Sequence, residues 1–250
     1  MFENLWLIPL GFVAGIVGSI IGLGGGIIVV PVLTILGFSH TVASSSSLFA
    51  AFSNSIASTA SYAKQKRIEY KIGLKLGLMS IPGTILGAYL STEVTTSIFK
   101  ILFGMILIAS CFYLFIKRNM EPKSANMTTK MLIISSGISF FAGILSSFFG
   151  IGGGIVFVPL MILGIGLSVK HSTATSQMVL MFSSASGMIA HSLLGHADFS
   201  QALFLGIGAF GGGLVGARLS VDLKETSIRI MICVVILAAA VKLFFDAVST

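Results

Sequence analysis

The sequence predicts an all-α polytopic membrane protein built from two homologous halves. Three observations carry that prediction. The mean hydropathy is +1.04, with 55% hydrophobic and only 9% charged residues, where a soluble chain carries about 25% charged. Residues 4–39, 131–169 and 226–240 hold a single charged side chain between them, Arg229, and apolar runs of about 20 residues read as membrane spans. Finally, Gly22-Leu23-Gly24-Gly25-Gly26, followed by Pro31, reappears as Gly150-Ile151-Gly152-Gly153-Gly154, followed by Pro159.

The repeat extends outward from the glycines. Gly15 pairs with Gly143, and His40 with His171 after a short insertion. Glu69 pairs with Asp198, Gly77 with Gly206, Gly87-Ala88 with Gly216-Ala217, and Lys100 with Arg229. Such internal symmetry points to a transporter with its site at the repeat interface. The expected organisation is a first repeat over residues 1–120, a polar cytoplasmic linker over 121–130 and a second repeat over 131–250.

The first element is the apolar segment 5–36, interrupted by the glycines and Pro31. It is too long for one straight helix across a core of about 30 Å and short for two full crossings. A helix, a glycine turn and a returning shorter helix fit it, provided the irregular backbone is buried in protein or lines a watery cavity. The N-terminus has no basic region and no small-residue cleavage site, so it reads as the start of a mature span. The next span, 41–63, opens with Ser44, Ser45, Ser46 and Ser47 and carries Asn54. A basic loop at 64–71 precedes spans at 72–91 and 97–116, where Pro82 marks an expected kink. Lys117, Arg118, Lys123 and Lys130 mark the linker. The second half repeats the order: a broken segment at 131–165, then spans at 171–194, 200–220 and 226–246. Gly211, Gly212 and Gly213 stand where the first half has Pro82.

Charge decides between two topologies. If each broken segment is a hairpin returning to its own side, the halves are inverted-topology repeats. Both basic loops then lie in the cytoplasm, Lys170, Arg218, Lys224 and Arg229 fall near the same face, and the neutral loop at 195–198 lies outside with both termini. If each broken segment crosses once, the halves are parallel and Lys170 and Lys224 fall outside. The positive-inside rule favours the inverted arrangement. The same rule accounts for the net charge of +7 without nucleic acid, for which no aromatic-basic face exists. The expected location is the plasma membrane, multi-pass. Cys111 and Cys233 lie inside expected spans and read as small packing residues.

The glycine clusters are not phosphate loops, because neither is followed by Lys-Ser/Thr. Small-residue helix packing is their plainer use, but consecutive glycines break a helix at about 1 kcal/mol each relative to alanine. A returning half-helix presents free N–H groups and its positive dipole end at the break, which suits an anion without a buried cation. The expected binding backbone is therefore Gly24, Gly25 and Gly26 with Gly152, Gly153 and Gly154. Hydroxyls in helices usually bond back to their own backbone. Clusters matched in both halves would nonetheless add neutral donors: Ser45, Ser46 and Asn54 in one, Thr175, Ser176 and Gln177 in the other. His171 and His191 are candidate proton relays, against a plainer capping or solvation role. Arg218 either faces an anion or snorkels to headgroups. Glu69 and Asp198 read as helix N-terminal charges. The expected partners are a small anionic substrate, H⁺ or Na⁺ as coupling ion, and the lipid bilayer, with no cofactor and no metal.

The paired glycine breaks with their prolines, the pairs Glu69-Tyr70 and Asp198-Phe199, and the Gly-Ala elements at 87–88 and 216–217 resemble the TauE/SafE family. This family of sulfite and organosulfonate exporters is also called the sulfonate uptake permease family, and the resemblance covers about residues 8–246. It implies a secondary carrier of small sulfur-containing anions, driven by ion gradients and working by alternating access between the repeats. Two other classes compete: a passive channel for the same anions, and an intramembrane enzyme such as a serine or aspartyl protease. The protease is disfavoured because Asp198, Asp222 and Asp246 all lie near span ends and no Gly-x-Ser-x-Gly motif is present.

Overall fold

The computed structural model describes residues 4–95 and 129–228, together with isolated positions in 98–108 and 230–241. The expected spans 97–116 and 226–246 and the linker 121–130 fall largely outside the described residues, as do Lys100, Arg229, Cys111 and Cys233. Every regular element among the described residues is helical: α1 (Leu7–Ile21), α2 (Gly26–Ile35), α3 (His40–Lys64), α4 (Tyr70–Leu90), α5 (Thr129–Phe149), α6 (Gly154–Pro159), α7 (Val169–Leu193) and α8 (Phe199–Leu219). A 3₁₀ turn, Ser91–Glu93, ends α4, and α6 continues as a π-helical segment, Leu160–Ile165.

The caps follow from the residues beside them. Ser39 accepts from the Val42 N–H and starts α3, and Ser168 accepts from the His171 N–H and starts α7. Asp198 accepts from the N–H groups of Ser200 and Gln201 at the start of α8, as its expected role requires. Glu69 precedes α4 without a side-chain cap bond. The Ser39 and Ser168 caps also correct one pairing. His171 stands at the position of Val42, and His40 at that of Val169, so the two histidines are not equivalents. His40 instead places its Nε2 3.0 Å from the Ser91 carbonyl. α4 runs through Pro82 as one helix.

The halves exchange helices. α1 packs along α8 of the other half, and α4 packs along α5. Both seams are built on glycine, which lets backbones approach closely where no hydrophobic force drives helices together. On one seam Gly11 lies against the Leu205 carbonyl, Gly15 against Ala209, and Gly208 and Gly212 against Ile8 and Phe12. On the other, Gly83 faces Phe140, Gly87 faces Ile144, and Gly143 faces Ser80. α3 and α7 lie at the centre and run in opposite directions past each other: Tyr62 packs with Ala174, and Leu48 with Gly187.

This arrangement turns a soluble protein inside out. Leu78, Met79, Ile85 and Tyr89 of α4 and Leu203, Ile207 and Phe210 of α8 are exposed, while Ser44, Ser45, Ser46, Ser47, Asn54, Ser176 and Gln177 are wholly buried. Among the described residues, Tyr70–Glu93 (24 residues, mean hydropathy 1.2) and Phe199–Leu219 (21 residues, mean hydropathy 1.6) are long and apolar enough to cross a bilayer. α3 and α7 have 25 residues each but are more polar, because their polar faces meet protein.

The seams make a direct prediction. A Cβ at position 212 would lie 2.9 Å from the Ile16 nitrogen and closer still to the Phe12 carbonyl, whereas one at position 137 meets nothing. Gly212→Ala should lower the melting temperature in detergent, at a cost of about 1–3 kcal/mol. Gly137→Ala should hold or raise it through helix propensity, by up to about 1 kcal/mol. Equal shifts for both would contradict the seam.

Candidate functional site

Each half breaks its helix at its glycines. Gly22, Gly24 and Gly25 have φ of 78°, 75° and 84°, and Gly150, Gly152 and Gly153 have 69°, 73° and 87°. Residues with a Cβ rarely adopt that conformation, which is why both copies need glycine here. The N–H groups of Leu23 and Gly24 donate to the Gly18 carbonyl at 2.9 and 3.2 Å, and that of Ile151 to Ser146 at 3.1 Å. The first turn brings Gly25 against Ala14, where a Cβ would lie 2.7 Å from the carbonyl oxygen. Val29 and Leu33 of α2 share a core with Ala14 and Leu7 of α1.

The two turns meet. A Cβ on Gly26 would lie 2.6 Å from the Gly150 carbonyl, and one on Gly154 2.5 Å from that of Gly22. The central helices secure the contact reciprocally. Ser47 of α3 donates to the Gly150 carbonyl at 2.6 Å, and Ser176 of α7 donates to the Gly22 carbonyl at 2.8 Å. Gln177 Nε2 donates to the Gly18 carbonyl at 2.8 Å, and Ser183 to that of Gly152 at 2.7 Å. Each turn thus hands a buried carbonyl to a hydroxyl of the opposite half. The Leu180 side chain lies against both Gly24 and Gly152, and Ala51 also approaches Gly24.

Buried polar atoms with no partner include the hydroxyls of Ser146 and Ser184, which lie against Gly153 and Gly152, and, on the same helices and α3, those of Ser45, Ser46 and Ser147, Asn54 Nδ2 on a residue packed against Gly213, and Gln177 Oε1. They are neutral, and all but Gln177 Oε1 can donate a hydrogen bond. Among the described residues, the buried polar side chains include no Lys, Arg, Asp or Glu.

The expected site residues have separate fates. Gly24, Gly25, Gly26, Gly152, Gly153 and Gly154 form the two facing turns. Gly24 and Gly152 share Leu180, Gly26 and Gly154 make the reciprocal contacts, and Gly153 lies against Ser146 and Phe157. Ser176 and Gln177 Nε2 are spent on the turn carbonyls. Ser45 and Ser46 keep unpaired hydroxyls, and Asn54 Oδ1 accepts from Ser58 while its Nδ2 is unpaired. The structure does not bring Thr175 and His171 to the turns. Thr175 Oγ1 accepts from the Glu69 N–H at 3.0 Å, tying α7 to the start of α4, and His171 Nδ1 lies 3.0 Å from Ser168 Oγ at the start of α7. His191 pairs with His196 and the Ser147 carbonyl. Sequence reasoning missed Ser183, Ser184 and Leu180. Helical periodicity held the signal, since Gln177, Leu180 and Ser184 repeat on one face of α7.

An apolar exterior around a polar seam, held where two halves interlock, is the build of a membrane transport protein. The chain belongs to the family described as sulfite exporter TauE/SafE, whose model matches residues 7–243. It is 32% identical to the probable membrane transporter protein YunE of Bacillus subtilis, across 97% of each chain. It is also 32% identical to a probable membrane transporter protein of Methanocaldococcus jannaschii, across 92% of this chain and 93% of that one. Identity to the probable membrane transporter protein YfcA of Escherichia coli K12 is 26%, across 94% of this chain and 87% of that one. These names are those of transporters and point away from an enzyme. No solved structure matches the chain.

The geometry separates structural hydroxyls from free ones. Ser47→Ala or Ser176→Ala leaves a buried turn carbonyl unpaired and should destabilise the protein by about 1–3 kcal/mol. Ser46→Ala removes a hydroxyl that has no partner and should leave the melting temperature unchanged or higher. Thermal unfolding in detergent compares them, and a larger loss for Ser46→Ala would contradict the assignment.

Proposed function

We propose that the protein is a secondary carrier of small sulfur-containing oxyanions of the sulfite or organosulfonate type. Its two halves are inverted-topology repeats in the plasma membrane, and the two glycine-broken hairpins carry the substrate site where they meet. The observation that carries this reading is the facing pair of glycine turns with unpaired neutral donors on the helices that pack against them, and no carboxylate or cation among the fully buried side chains of the described residues. A site of that chemistry favours an anion, because it supplies N–H and O–H donors and the positive end of the α2 dipole without requiring desolvation of a protein cation. A pyramidal or tetrahedral oxyanion has enough acceptor oxygens to use several donors at once. The family description names sulfite, which falls in that class.

In the conformation described, Leu180 lies against both turns. Alternating access then requires the halves to rock about the reciprocal contacts, so that the turns part first toward one face and then toward the other. Discontinuous helices at midplane serve such a cycle, because irregular backbone is tolerated only where protein or a cavity covers it. The sequence carries no ATP-binding motif, so energy comes from an ion gradient or a separate subunit, and a gradient is the source proposed.

Glycine at the turns is the direct test. Gly25→Val and Gly153→Val force a β-branched side chain into φ of 84° and 87°. Both should abolish sulfite exchange in proteoliposomes while the protein still inserts in the membrane. Exchange at the wild-type rate in either variant would contradict the site. Flux that no pH or sodium gradient drives uphill would assign a passive channel in place of the carrier.

A further inference from the structure

The two halves use the same positions for different chemistry at one place. The paired caps align Tyr62 with His191 and Arg67 with His196. Tyr62 donates to the Ser19 carbonyl at 2.8 Å, and the Arg67 guanidinium lies 5.0 Å from the centre of the Tyr62 ring. In the second half His191 Nε2 lies 3.0 Å from the Ser147 carbonyl, and His191 Nδ1 lies 3.0 Å from His196 Nδ1. Ser19 and Ser147 are equivalent, each three residues before the first glycine of its break. One half thus braces its broken helix with a phenol under a permanent cation. The other uses two imidazoles.

The hydrogen bonds set the tautomers. A carbonyl only accepts, so His191 Nε2 carries a proton. Neutral imidazole has one N–H, which leaves His191 Nδ1 as an acceptor and requires His196 Nδ1 to donate to it. The remaining basic atom is Nε2 of His196, on a half-buried ring in the 195–198 loop. A proton taken up there makes His196 an imidazolium that still donates through Nδ1. A second proton would set two N–H groups against each other, so the pair holds one added proton. That charge lies beside the C-terminal end of α5, where the helix dipole favours a cation.

Among the described residues, the titratable neighbour of the pair is His40 at the start of α3. Asp198, two residues beyond His196, spends its carboxylate on the N–H groups that open α8. From α5 the contact is the Ser147 carbonyl. Burial, and then the neighbouring His40, hold the His196 pKa below its ordinary value.

We propose that His191 and His196 form a one-proton site that makes the proton the coupling ion of this carrier, with Tyr62 and Arg67 as its non-titrating counterpart. The inference rests on the carrier reading above. A proton enters at His196 Nε2 from the face that the 195–198 loop occupies. Charging the pair strengthens its hold on the Ser147 carbonyl next to the second turn. That hold bears on the contact between the halves.

The test replaces the second pair with the chemistry of the first. The double variant His191→Tyr/His196→Arg keeps a donor to Ser147 and a cation over it, but cannot titrate near neutral pH. In proteoliposomes the wild type should show sulfite counterflow and sulfite accumulation driven by a pH gradient. The variant should keep counterflow and lose the gradient-driven accumulation. Accumulation equal to wild type would overturn the proposal. ¹⁵N-histidine spectra of the wild type in nanodiscs give a readout that needs no substrate. They should show Nε2–H at His191, Nδ1–H at His196 and uptake of one shared proton. Two independent titrations, or the opposite tautomers, would overturn the site. Absence of sulfite counterflow in the wild type would instead fail the anion-carrier reading, with the spectra still deciding the proton site.

Discussion

The structure depends on the reciprocal bonds by which each half satisfies the broken backbone of the other. A glycine turn inside an apolar body strips carbonyls of their helical partners, and with no water at that depth each unpaired group is costly. Ser47 answers for Gly150 and Ser176 for Gly22. Neither half holds its own break closed at these carbonyls. The same bonds place both turns at one point, so the feature that would destabilise one half alone creates a shared interface between two.

Everything else supports that interface. The glycine seams of α1 on α8 and of α4 on α5 bring backbones together where apolar surface offers no advantage over lipid. They also commit the first helix of each half to a helix of the other. α3 and α7, too polar to face lipid, are pressed into the middle with their hydroxyls and amides inward. The proposed cycle uses what this construction leaves unpaired: Ser184 beside the second turn, and Ser45, Ser46 and Asn54 Nδ2 along α3.

Much of the fold was legible in the sequence because its causes are periodic or local. Hydropathy located the helices, the two glycine runs located the breaks, and Asp198 announced the start of α8. The turns of the candidate site were legible for the same reason, since three glycines in an apolar run have few uses. What the sequence hid was partnership. Ser45 and Ser46 are free while Ser47 is bound, a distinction set by which face of α3 meets the opposite turn. Thr175 stood in the same polar run as Ser176, but one residue along a helix turns its side chain by about 100°, toward α4. His40 was matched to His171 by residue type, whereas the caps align it with Val169. His196 is a loop residue, and its pairing with His191 across five positions leaves no mark in the sequence pattern.

Amide hydrogen exchange in nanodiscs, with and without sulfite, tests the central claim most directly. If the facing turns bind the anion together, sulfite should slow exchange in peptides covering residues 24–28 and in those covering 152–156, both at the same ligand concentration. Protection confined to one turn, or falling elsewhere while sulfite still binds, would contradict a site shared by the two halves.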